Sequence, residues 1–504
     1  MKKDFDYIIV GGGTAGSVLA ARLTEKKAGS VCLIEAGPSD ENEKEILELL
    51  NWPNLLETKW DYDYTIEKQV RGNSSIRHSR AKVLGGCSSH NSCIAFKAPQ
   101  SDFDEWMALG AKSFTKEKVD SYYKKVWESV HTEYADSSNA CSLAFVEAAQ
   151  ELNFPLKKFN QEEHGRGVGL FELNKKGNLR QSSSVSYLHP LSRWIGTDLT
   201  ILFSTKATKV LFEKKVAVGV SVIMENGAGE KREDILRAHK EVIVCAGAFD
   251  TPKLLLLSGV GSREELMKFD IPLVSHLPGV GENLLDHPEG VIQWEASRQV
   301  PEESTQFWEA GLFEHVLDTH SPDLMFHFGT VPFDSHTKAL GYPSAENVFC
   351  LTPNVARAKS QGKVTLKGAH HEVPPSIDFR YFTDEESYDE RVMTKGIELA
   401  RMIVMETSLR NWVKRELTPG SGVTSFKDLS HYVRRTANTV YHPAGTCKMG
   451  SEKDEMSVVD GDFKVLGGIE KLRVVDASVF PSMVSVNPNM TCMMLGEKCA
   501  DLLT

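Results

Sequence analysis

Short apolar runs closed by glycine or proline alternate with helix-length amphipathic stretches along the whole chain. Residues 5–10 read as a buried strand. The run breaks at Gly11-Gly12-Gly13-Thr14-Ala15-Gly16 and resumes with helical spacing through Leu23. A second strand over residues 30–34 ends in Glu35, and the same strand, turn and helix order returns at 241–246, Gly247 and 251–257, with a turn at 258–261. Further on, the pattern predicts strands at 290–295, 323–328, 347–351 and 362–366, and helices at 384–405 and 425–435. No internal repeat, low-complexity tract or flexible linker interrupts it.

The first turn carries chemistry. Gly11 permits the tight bend, Gly13 lets backbone approach a pyrophosphate, and Gly16 lets helix pack closely on strand, with the helix N-terminus facing the anion through Thr14 and Ala15. Glu35, followed by Ala36, lies 35 − 11 = 24 residues after the first glycine, near the place where an acid accepts hydrogen bonds from the adenosine ribose. Together these predict a bound dinucleotide, NAD or FAD. Other pieces of this domain belong to the distant blocks 438–450, 472–481 and 486–495, so an insertion separates them.

Composition narrows the class. A chain of 504 residues suggests two to three domains at about 150 residues each, and 41% hydrophobic with 25% charged residues excludes disordered and fibrous chains. The net charge of −11 gives no footprint for nucleic acid. Nine scattered cysteines, an odd number without zinc-finger spacing, read as buried thiols of a reducing compartment, and no metal site is indicated. Lys2 and Lys3 before the apolar stretch 7–21 imitate a secretory leader, but Asp4, Asp6 and three glycines spoil it, and no run of 18 apolar residues follows. The expectation is a cytoplasmic protein with its N-terminus intact and no membrane partner.

Two long blocks carry a family resemblance. Residues 80–92, Arg-Ala-Lys-Val-Leu-Gly-Gly-Cys-Ser-Ser-His-Asn-Ser, and residues 247–255, Gly-Ala-Phe-Asp-Thr-Pro-Lys-Leu-Leu, resemble the two signatures of the glucose-methanol-choline (GMC) oxidoreductases, which are FAD-dependent alcohol oxidases and dehydrogenases. Blocks 88–96, 286–291, 327–333 and 438–443 are most similar to the choline-oxidising members. The resemblance implies an α/β fold: a doubly wound Rossmann-type FAD-binding domain over 1–140, 190–288 and 440–504, with an inserted antiparallel-sheet substrate-binding domain over 141–189 and 289–439. It also implies a homodimer.

The resemblance assigns roles residue by residue. His90 matches the histidine joined covalently to the flavin, and Val83, Gly86, Asn91, Asp476, Ala477, Asn487 and Pro488 fall in the cofactor blocks. His442 and Asn487 match the pair that faces the flavin N5, with His327 as a second polar contact and Ser92 near the substrate oxygen. An alcohol donates hydride poorly until its proton is removed or its developing charge is stabilised, which suits histidine and asparagine. Glu289 matches the carboxylate that holds a trimethylammonium group, a cation without hydrogen-bond donors that only charge and aromatic faces can hold. Trp52, Trp308, Tyr441 and Phe333 match the aromatic enclosure, and Val440 the small apolar side chain where dioxygen meets the flavin. Any of the 16 histidines or any tryptophan taken alone is more often structural.

The implied reaction is oxidation of choline through betaine aldehyde to glycine betaine, by hydride transfer to FAD and reduction of dioxygen to hydrogen peroxide. A choline dehydrogenase, an oxidase of another primary alcohol, and a redox-silent hydroxynitrile lyase on the same scaffold remain open alternatives. The sequence departs from the choline-oxidising pattern at Lys97 and at Cys447-Lys448.

Overall fold

The computed structural model describes residues 2–73, 75–136, 138–162, 164–192, 198–318 and 320–504. Residues 193–197, just inside the expected segment starting at 190, lie outside the described residues. Two sheets dominate. The first orders Leu199–Leu202, Val31–Ile34, Asp4–Val10, Lys231–Val244, Val216–Glu225 and Thr205–Glu213, with Leu472–Val474 added on Lys231–Val244. The strands on either side of Asp4–Val10 pair with it in parallel, whereas 205–213 and 216–225 form an antiparallel meander on the outer half of 231–244.

Burial explains this pairing. Val31–Ile34 is buried at every position, as parallel strands covered on both faces require. Helix Thr14–Glu25 covers one face and packs on Asn489–Leu503, so the two ends of the chain meet. At Gly11, φ is +105° and a Cβ would stand 2.3 Å from the Cys245 carbonyl oxygen, so only glycine makes the turn.

The second sheet has eight antiparallel strands in the order Val413–Thr418, Ile292–Ala296, Val348–Val355, Leu324–Gly329, Ala310–Glu314 and Gly167–Leu170. Pro288–Glu289 joins it by pairing with Val348–Val355 and with Asn438–Thr439. Val348–Val355 is buried at all eight positions because the sheet is covered on both faces, on one of them by helix Tyr388–Met405. That helix buries Val392, Met393, Ile397, Ala400, Ile403 and Val404, a stripe at helical spacing in which each of the larger side chains contributes about 1.5–3 kcal/mol by leaving water.

Two expected elements differ. Residues 362–366 form no part of this sheet: Lys363–Thr365 pairs with Ser376–Asp378 in a separate ribbon. The strand expected from 241 begins at Lys231, because its first half is an exposed meander strand whose charged side chains hide it. Among the described residues no helix is long and apolar enough to cross a membrane.

Candidate active site

One continuous cavity runs between the two sheets, from the glycine turn to the underside of the antiparallel sheet. Gly11, Gly13, Thr14 and Ala15 line one end with Glu35 and Ala36. The helix from Thr14 has Gly13 as N-cap and no side-chain cap, and the helix from Asn489 has Pro488 and none either. Both therefore present uncapped first-turn amides at residues lining the cavity, with the positive ends of their dipoles. Gly16 is spent on packing, since a Cβ there would meet the Gly11 oxygen at 2.0 Å. Glu35 accepts from the Gly12 and Gly37 amides at 3.0 and 2.7 Å, and burial pushes its carboxyl up to about 7 against those bonds.

The Gly86–Ser89 turn brings Gly86, His90, Asn91 and Ser92 to the wall. His90 is buried, and its Nδ1 has no protein partner among the described residues. Asp476, Ala477, Asn487 and Pro488 line the opposite stretch, and Asn487 Oδ1 and Asn489 Nδ2 are likewise buried without a protein partner. Buried polar atoms without partners in a native cavity call for a ligand.

His442 stands in a strained turn. The strand before it stops at Thr439, and Tyr441 has φ +63°, which turns the chain before the histidine. Arg80 holds the Tyr441 carbonyl, Thr439 Oγ1 accepts the Tyr441 amide at 2.8 Å, and Asp286 Oδ1 accepts the His442 amide at 2.9 Å. The Tyr381 and Thr439 hydroxyls complete the shell of Asp286, whose carboxyl burial raises to about 6.

Donor and acceptor accounting fixes the histidine tautomers. His287 Nε2 faces the carbonyls of Val484 at 2.9 Å and Ala356 at 3.2 Å, so it carries the proton and its Nδ1 accepts. His442 Nδ1, 2.9 Å from that nitrogen, must donate, which leaves the lone pair on Nε2. Burial, then the neighbouring His287 and His327, keep His442 well below the ordinary histidine range. On the sheet, Asn354 donates to the Met325 carbonyl at 3.1 Å, so its Nδ2 also faces His327 Nδ1 at 3.4 Å as a donor. The His327 proton is thereby on Nε2, and burial pushes that ring down to about 4.

Glu289 is 5% exposed and 3.8 Å from His327 Nδ1. Burial raises its carboxyl to about 8, opposed by the Thr352 hydroxyl. Trp52, Trp308, Phe333 and Tyr441 line the same chamber with Val440; Trp52 meets Trp308 edge-on at 5.6 Å and Trp308 meets Phe333 at 5.7 Å. The Trp52 indole N–H donates to the Gln306 carbonyl at 3.0 Å, which locks its ring.

The residues expected from the sequence thus meet in one cavity, with one exception besides Gly16. Val83 packs with Ile46, Leu55 and Trp60 and does not line it, because its side chain points into that small cluster. Lys97 pairs with Asp120 at the surface and Cys447 is buried elsewhere, so neither departure touches the chamber. Sequence reading missed His287, Asn354 and Asp286 as functional groups. The Asp286-His287-Pro288-Glu289 block held two of them, and a buried strand asparagine was the signal for the third.

Two family models, each described as GMC oxidoreductase, match residues 5–289 and 358–496. A choline oxidase of Arthrobacter globiformis is 44% identical, over 99% of this chain and 94% of that one. A mitochondrial choline dehydrogenase of Homo sapiens is 32% identical, over 100% and 90%. The crystal structure of pyridoxine 4-oxidase from Mesorbium loti superposes with a TM-score of 0.90 at 26% identity, covering 99% of this chain and 98% of that one.

Proposed function

The chain belongs to the GMC oxidoreductase family, and from that premise we propose that it is an FAD-dependent choline oxidase. Choline would give hydride from its alcohol carbon, dioxygen would leave as hydrogen peroxide, and betaine aldehyde would be carried on to glycine betaine. One observation carries the substrate: Glu289, a carboxylate buried among four aromatic side chains, beside two histidines of complementary tautomer. A buried carboxylate needs a cation, and a cation without hydrogen-bond donors suits aromatic walls.

FAD suits the rest of the cavity. The uncapped helix ends, the glycine turn and the unpartnered atoms of His90, Asn487 and Asn489 provide anion and amide contacts along it. Gly11, Gly13, Thr14, Ala15, Glu35 and Ala36 would hold the adenosine and pyrophosphate, and Gly86, Asn91, Asp476, Ala477 and Pro488 the rest, with His90 as the covalent anchor. When bound, FAD supplies the two-electron acceptor that amino-acid side chains lack.

The protein's own part is proton and charge control. His442 Nε2 takes the hydroxyl proton of choline, and His287 keeps that nitrogen free by accepting from Nδ1. His327 Nε2–H, held by Asn354, donates to the alkoxide as charge develops. Asn487 and Ser92 orient the oxygen from the cavity wall, Glu289 and the aromatic box fix the ammonium end, and Val440 leaves an apolar path for dioxygen. We place the work in the cytoplasm, where nine unpaired cysteines stay reduced. The chain divides into a cofactor-binding part around the first sheet and a substrate-binding part around the second.

Oxygen uptake and peroxide formation by the purified holoenzyme, with choline as sole reductant, test the reaction. The expected result is two dioxygen consumed per choline. Bleaching of the flavin by choline without oxygen uptake would make it a dehydrogenase, and a flavin that stays oxidised under choline without air would contradict the redox reading altogether.

A further inference from the structure

Behind His90 lies a chain of hydrogen bonds that the alcohol chemistry does not use. His90 Nε2 is 3.2 Å from Ser79 Oγ, and Ser79 Oγ is 2.5 Å from Asp61 Oδ2. Asp61 is the hub of its loop: Oδ1 accepts the amides of Asp63 and Arg80 at 2.9 and 2.8 Å, and Oδ2 accepts the amide of Glu57 at 2.9 Å as well as Ser79. A carboxylate surrounded by donors is an acceptor throughout, so the single hydroxyl proton of Ser79 goes to Asp61. Only lone pairs are left on Ser79 Oγ for the histidine. The ring proton of His90 therefore sits on Nε2 and points at Ser79.

The three side chains are all buried, at 8% exposure for Asp61, 5% for Ser79 and 4% for His90. Arg180, fully buried, holds the turn that carries His90 by donating to the Ser88 and Asn91 carbonyls at 3.2 and 2.8 Å. Burial, then Arg80, lowers His90 to about 3, against the pull of Asp61, so the ring is neutral and keeps one nitrogen lone pair free across the physiological range.

We propose that Asp61 and Ser79 form a proton relay that activates His90 for its covalent attachment to the flavin. The inference rests on the reading that FAD fills this cavity and is anchored at His90. As a ring nitrogen bonds to the methyl carbon of the flavin benzene edge, one methyl C–H bond breaks and its electron pair enters the flavin ring system. The Nε2 proton passes to Ser79 while Ser79 passes its own to Asp61. The methyl proton and the relayed proton balance the two electrons, and one dioxygen, the oxidant of the proposed reaction, later removes that electron pair with the two protons as hydrogen peroxide. Ser79 touches the reacting ring; Asp61 acts through it as a positioning residue.

Because Asp61 also holds three backbone amides, Ser79 is the residue to change. Wild type, Ser79→Ala and Ser79→Thr are produced without flavin and given FAD in air. Bound FAD is measured after gel filtration, and covalent FAD as acid-stable flavin in the denatured protein over time. Ser79→Ala is expected to bind FAD fully yet link it about 10²-fold more slowly, as loss of a positioned proton acceptor predicts. Its rate should rise with pH as solvent base substitutes, while Ser79→Thr restores the wild-type rate and profile. Wild-type linkage kinetics in Ser79→Ala, with FAD bound, would overturn the relay and leave the anchor standing. A wild-type protein without acid-stable flavin would overturn anchor and relay together.

Discussion

At the scale of single residues, the protonation states in the chamber are imposed from behind. Glu289 is raised to about 8 by burial, so below that pH most of the free site holds a neutral acid, and a quaternary ammonium binds only the ionised fraction. Binding choline therefore releases a proton, and the choline dissociation constant should fall about tenfold per pH unit up to about 8 and then level off. Glu289→Gln should flatten that profile and weaken binding by about 10²-fold, as loss of a buried charge partner predicts; anaerobic flavin titration at several pH values reads both effects. His287 acts through His442. His287→Phe should lower kcat by about 10²-fold with little change in KM, and His287→Gln, which returns an amide oxygen to face His442 Nδ1, should recover part of it in steady-state assays. Most of the residues proposed to touch substrate were legible because the family blocks contain them, among them Glu289, His327, Phe333, Tyr441 and His442. Those that set tautomers were not, since the carbonyls of Val484 and Ala356 and the strand neighbour of Asn354 approach only in the fold.

At the scale of elements, the glycine turn was legible in full, because its requirement is local: Gly11 has φ +105° whatever the remote sequence does. Gly11→Ala should cost at least about 1–3 kcal/mol of backbone strain and also collide with the Cys245 carbonyl, giving a protein of lower thermal midpoint and reduced flavin content. Other elements depended on partners. Lys231–Val244 opens on four consecutive charged residues, Lys231 to Asp234, in an exposed outer half without apolar periodicity, so only its buried inner half from Glu241 was legible as a strand. The apolar run near Val364 looked like a member of the antiparallel sheet, yet it pairs locally with Ser376–Asp378; apolar content alone does not choose a strand's partner. Helix 388–405 was legible from its long stripe, since Val392, Ile397, Ala400 and Val404 recur at the helical period.

At the scale of the whole molecule, the cavity is where two sheets and both ends of the chain meet, so its ligand should act as a brace between them. Ligand bound only to the folded state stabilises by mass action. In His90→Ala, where FAD would be held without a covalent bond, the thermal midpoint should climb with added FAD, whereas the wild-type midpoint should not respond; a scan at several FAD concentrations checks this. The same assembly places a carboxylate, an aromatic box and two tautomer-locked histidines around one chamber, a lining that suits a permanent cation. The most direct measurement compares oxygen consumption with choline and with 3,3-dimethyl-1-butanol, its isostere with carbon in place of the quaternary nitrogen. If the chamber is a cation site, kcat/KM should favour choline by about 10²-fold or more, and Glu289→Gln should remove most of the difference. Equal kcat/KM for the two alcohols in the wild-type enzyme would contradict it.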